Sequence, residues 1–145
     1  MRWKPLDTTG NQRTLAVVFE PDEEAADGLL RFAQEQRLGG THFTAIGALR
    51  DVVLGYWDLN AKDYRRILIR EQVEVLSLAG NIAIGPDGTP RVHAHVVIGK
   101  ADGSAHGGHL LEGHVRPTLE VVLIESPRHL QRRVDPETQL PLLVP

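Results

Sequence analysis

The sequence contains no cysteine. That excludes a disulfide framework, a thiolate nucleophile and a cysteine-based zinc cage, and it fits a reducing compartment. No run approaches the ~18 apolar residues of a membrane span. The opening stretch MRWKPLDTTGNQRTL lacks the apolar core of a signal peptide. A cytoplasmic protein without a membrane partner is therefore expected. Positive charge is not in excess either. Sixteen Lys and Arg stand against nineteen Asp and Glu, for a net charge of −3. This argues against a sequence-independent grip on a nucleic acid backbone, which needs clustered cations. The two basic clusters, Arg65-Arg66 and PRHLQRR (127–133), read as solvated surface. Internal repeats and low-complexity segments are absent. Ser77 and Ser104 lie in no GxSxG elbow, and neither GPDG nor GKADG leads into a helix as a phosphate loop must.

What is present describes one globular domain over residues 1–145. Hydrophobic residues make up 41% and charged residues 24%, an ordinary soluble mixture. A chain of this length buries roughly two-thirds of its unfolded surface and can fold without a structural metal. TLAVVFE (14–20) is a short apolar run and predicts a buried strand. Asp22, Glu23 and Glu24 then suit the positive end of a helix. Ala26, Leu29, Leu30 and Ala33 repeat on one helical face, and Gly39-Gly40 closes it after Arg37. The remainder predicts strands: 41–49 and 51–59 parted by Arg50, then 64–70, 73–84, a hairpin from 91, and 118–125. The Pro-rich tail is expected to pack along the surface. One principal helix against a large, mainly antiparallel sheet is an α+β fold. LEVVLI (119–124) is apolar on both sides, which points to a subunit interface.

Five of the seven histidines fall between residues 91 and 120: His93, His95, His106, His109 and His114. In RVHAHVVIG, Val92, Ala94, Val96 and Ile98 alternate with His93 and His95, so the two histidines share the face opposite the core. The turn KADGS allows two geometries. A two-residue loop would put His109 opposite Val96 on the core face. A three-residue loop, a type I turn with Gly103 left-handed, pairs Lys100 with Ser104 and puts His109 opposite His95. Ala101-Asp102 suits the second. His93, His95 and His109 then converge within reach of one divalent ion. The alternative for the same pattern is three hydrogen-bonded histidines lining a polar interface. His106 and His114 fall on the other face. Glu112 is sent towards the apolar side in this register, which calls for a departure of the strand from the sheet, a bulge at Gly107-Gly108, or a role for Glu112 itself.

AIGALRDVVLGYWD, EVLSLAGNIA, GTPRVHAHVVIGKADGSAHGGHLLEG and VRPTLEVVLIE resemble, in order and spacing, the plant- and prokaryote-conserved (PPC) domain family. The resemblance spans nearly the whole chain, and its most specific part is the HxH–DG–GGHL segment. It implies an α+β fold, a homotrimer, and a metal, zinc in the prokaryotic stand-alone members, on the positions matching His93, His95 and His109. Gly107 and Gly108 would allow close backbone approach. Glu112 or Glu120 could supply a second-shell contact or a base, and a small molecule could bind at the metal. Plant members join this domain to Arg-Gly-Arg minor-groove motifs, the source of a DNA-binding label. This sequence has no such motif, and DNA contact by it is not expected. Two function classes follow: a trimeric metal-binding domain with a small-molecule or hydrolytic role, or a DNA-binding or transcription-associated regulatory module without catalysis.

Overall fold

The computed structural model describes residues 1–7 and 10–144. The described elements are β1 (Arg2–Asp7), β2 (Arg13–Phe19), α1 (Ala25–Gln36), β3 (Gly40–Asp58), β4 (Asp63–Ile69), β5 (Val73–Ile84), β6 (Pro90–Gly99), β7 (Ala105–Glu125), β8 (Gln131–Val134) and β9 (Pro141–Val144). This is the α+β arrangement that the strand-forming composition predicts. The strands pair antiparallel, apart from one parallel contact of β5 with β8.

The helix forms where acidic residues meet an apolar stripe. Glu24 caps it, its carboxylate accepting from the backbone N–H of Ala26 at 3.0 Å and Asp27 at 2.6 Å. Ala25, Leu29, Phe32 and Ala33 face the core. The helix ends before the Gly pair. Arg37 turns left-handed (φ 54°, ψ 45°), and its N–H reaches the carbonyls of Ala33 and Gln34, satisfying the terminal acceptors locally. Gly39 and Gly40 lead into β3 instead. Their N–H groups donate to the buried Glu125 carboxylate at 3.0 and 3.3 Å, which also accepts from the Thr41 hydroxyl.

The two strands expected on either side of Arg50 are one continuous β3. Register shifts around Leu49 absorb the irregularity. The Arg50 side chain lies outside the core and binds Asp22 at 2.6 Å and Asp51 at 3.0 Å, so its charge interrupts nothing. The length of β3 has a topological use. Its first half pairs with β5 and its second half with β4, while β7 runs along both. β6 pairs with β5 and with β7. Strands β3, β5, β6 and β7 therefore close a hydrogen-bonded circuit, which removes free edges from the middle of the sheet. Phe19, Phe32, Phe43, Leu54, Ile98 and Leu123 are fully buried in the core. The tail does more than lie on the surface: β8 and β9 form a hairpin.

Candidate metal centre

The β6–β7 turn fixes everything that follows. Lys100 N–H donates to Ser104 O at 2.9 Å, Gly103 N–H donates to Lys100 O at 2.9 Å, and Gly103 has φ 83°. Asp102 Oδ1 accepts from the Ser104 N–H at 2.9 Å and its hydroxyl at 2.6 Å. This is the three-residue loop, and it pairs His95 with His109. Ala94, Val96 and Ile98 are buried on the inner face, leaving His93 and His95 on the outer one.

His109 occupies a junction. It lies opposite His95 in β6 and opposite Gly55 in β3, where β7 passes from one partner to the other. The crossing needs close backbone approach. A Cβ on Gly108 would sit 2.9 Å from Gly55 O, and one on Gly107 would sit 3.2 Å from Val96 O. Gly107 and Gly108 therefore lie where neighbouring strands come close.

The three imidazoles meet. Ring centroids are 5.1 Å apart for His93–His95 and for His93–His109, and 5.5 Å apart for His95–His109. One ligand atom from each lies within 4.8 Å of the other two. Nε2 of His93 is 3.2 Å from Nε2 of His95, close to the ~3.3 Å between two donors sharing a tetrahedral zinc at ~2.0–2.1 Å. Nδ1 of His109 is buried without a hydrogen-bond partner among the described residues. Burial, the nearby Arg132 cation and His95 lower the pKa of His93. Burial first, then His93, His95 and Arg132, lowers that of His109 to about 4. Neutral imidazole is the metal-binding form. Three imidazoles with converging ligand atoms suit a divalent ion of borderline softness.

Two neighbours were not foreseen. Tyr64, on β4, lies against His109 with ring centroids 4.9 Å apart, and Trp57 packs edge-on to Tyr64. Arg132, on β8, is only 6% exposed. It donates to Pro141 O at 2.9 Å and to Asn81 Oδ1, and Asn81 pairs with His93 across β5 and β6. Tyr64, His93, His109 and Arg132 line one hollow of about 230 Å³, whose remaining wall includes Val92 and the β9 approach at Leu140–Leu142.

The other residues singled out from the sequence lie elsewhere. Glu112 does not line the histidine hollow. The β3–β7 register shifts between Leu110 and Glu112, which returns Glu112 to the surface beside Arg66 at 3.3 Å. Glu120 pairs with Ile46 further along β7 and lines a separate depression with Glu74 and Leu76. His114 binds Asp51, Nδ1 to Oδ1, at 2.7 Å, and His106 lies opposite Ile98 at the turn.

The model of the Plants and Prokaryotes Conserved (PCC) domain matches residues 6–127. The chain belongs to this family. Among solved structures, a plant- and prokaryote-conserved protein of Pyrococcus horikoshii superposes with a TM-score of 0.85 at 29% identity, covering 99% of this chain and 95% of that one. A metal-containing protein of Archaeoglobus fulgidus gives 0.82 at 32% identity, covering 91% and 93%. A protein of Ralstonia eutropha described as a candidate DNA-binding protein gives 0.83 at 27% identity, covering 90% of each chain. A curated relative is also found within the bifunctional protein GlmU of Synechococcus sp. (strain JA-3-3Ab), 35% identical over 140 residues and 94% of this chain. The chain spans about a fifth of that relative's length, 21%.

Proposed function

We propose that residues 1–145 act as a single metal-binding domain that assembles as a homotrimer in the cytoplasm. His93, His95 and His109 hold a divalent ion, and the all-nitrogen donor set favours zinc. The observation that carries this reading is the convergence of three imidazoles on the outer sheet face, one with a buried, unpaired nitrogen. The description of the Archaeoglobus relative as metal-containing supports it. Held by these three residues, the ion would supply Lewis acidity to a small molecule or water. The chain's own residues do the rest: Tyr64 fixes the His109 ring by packing on it, and burial lowers the pKa of His93 and of His109. No glutamate among the described residues lines the hollow as a base.

Elemental analysis of untagged protein should find near one divalent ion per chain, and His95→Ala should lose it. Full retention of metal by that variant would exclude this ligand set. The name of the Ralstonia relative raises a second reading, a DNA-binding regulatory module. Against it stand the acidic balance and the burial of Arg132, which removes one cation from the basic tail cluster.

A further inference from the structure

Arg132 poses a charge problem. Its guanidinium is carried inward on β8, and its acceptors among the described residues, Pro141 O and Asn81 Oδ1, are neutral. Nε is buried and unpaired, and no carboxylate pairs with this arginine among the described residues. A buried cation without a counter-charge is costly. The hollow it lines makes the imbalance larger. Arg91 is a second cation there, already neutralised by Asp87 at 2.5 Å. The described lining includes no acid. A divalent ion on the three imidazoles would add two further positive charges, and no acid in the described lining offsets them. The rest of the lining, by contrast, is apolar: Val92, Leu140, Pro141 and Leu142.

We infer that this hollow binds a small carboxylate, its anionic end towards Arg132 and the metal position and its short carbon chain against Val92, Leu140 and Leu142. Guanidinium matches a carboxylate in both charge and planar shape. The apolar wall discriminates against inorganic phosphate, which has no carbon body to place there. The volume, about 230 Å³, lies below the ~300–1,000 Å³ of drug-sized sites, so the occupant has only a few carbons. This inference rests on the metal reading for the second half of its charge argument, and on Arg132 alone for the first.

The test uses the full chain loaded with cobalt(II), whose visible absorption reports its ligands, together with calorimetry. Butyrate, its neutral isostere butyramide, and inorganic phosphate are titrated in turn. Butyrate should bind saturably, perturb the cobalt spectrum and weaken with added salt, while butyramide should not bind. Arg132→Met should weaken butyrate tenfold or more with metal content unchanged, and Arg132→Lys should recover part of the loss. Because Arg132 also ties down β9, the comparison of butyrate with butyramide on the unaltered chain decides the matter even if the variants loosen the tail. Absence of metal by elemental analysis would sink the metal reading alone, and the same calorimetric pair on the metal-free chain would still judge the anion preference. Equal binding of butyrate and butyramide, no binding of butyrate, tighter binding of phosphate, or indifference to Arg132→Met would each overturn the inference.

Discussion

At the scale of the residue, His109 converts burial into a pH dependence. Its folded pKa is about 4, against ~6.5 for an unperturbed histidine. Between those values the unfolded chain binds a proton that the folded chain refuses. Stability of the metal-free protein therefore rises with pH across this window and is lost as pH falls from about 6.5 towards about 4. Thermal melts of chelator-treated protein should show Tm falling over that interval, with a shallower fall in His109→Asn. An identical slope in the variant would assign the effect to other groups. Glu24 is a second residue whose role is local and countable. It accepts from Ala26 and Asp27 at the start of α1 and also from Gly113 N–H at 2.8 Å on β7. Glu24→Ala should cost about 1–2 kcal/mol, read as a lower urea midpoint. The three histidines were legible because a strand's two-residue period and one turn sufficed to place them. Tyr64 and Arg132 were not, since each reaches the hollow from an element whose position depends on tertiary pairing, and neither carries a local signal.

At the scale of the element, the decisive segment is the β6–β7 turn. Asp102-Gly103 encodes it through side-chain chemistry and backbone handedness, both readable within five residues. Gly103→Val places a β-branched side chain at φ 83°. It should destabilise by about 1–2 kcal/mol and, by disturbing the register, lower metal occupancy as well. Unchanged occupancy would mean that pairing of β7 with β3 alone holds His109 in place. Elements fixed by distant partners were harder to read. β1 is exposed along its length and, among the described residues, pairs only with β2, so it shows no buried period. β8 and β9 are four residues each and lie in a Pro-rich stretch that resembles an unpaired tail. Arg50 reads as a boundary within β3 because it places a charge inside an apolar run. In the fold that charge lies in the surface ion pair with Asp22 and Asp51.

At the scale of the whole molecule, the outer sheet face leaves large apolar side chains uncovered. Ile46 is 61% and Leu76 55% exposed, and Val97 and Val122 are also exposed. The two-sided apolarity of residues 119–124 thus resolves into one buried side and one uncovered side. If copies of this chain bury that face in one another, light scattering should return about three times the monomer mass, and Val122→Lys should shift it downward. A monomer at micromolar concentration would contradict the trimer. Binding to an A·T-rich duplex near 150 mM salt should be no tighter than the ~10⁻⁴ to 10⁻⁶ M non-specific range, as fluorescence anisotropy can measure. Nanomolar affinity with a sequence preference would establish the regulatory reading. The β8–β9 hairpin has a further consequence. The family match ends at residue 127, whereas Arg132 and the Leu140–Leu142 wall lie beyond it. The hollow is thus built from both sides of that limit, with Tyr64, Val92, His93 and His109 within the match and Arg132 and Leu140–Leu142 after it. A library randomised only across 131–144 would therefore vary the contents of the hollow while leaving every histidine codon intact, and chimeras exchanging this segment among relatives would report on selectivity separately from metal loading.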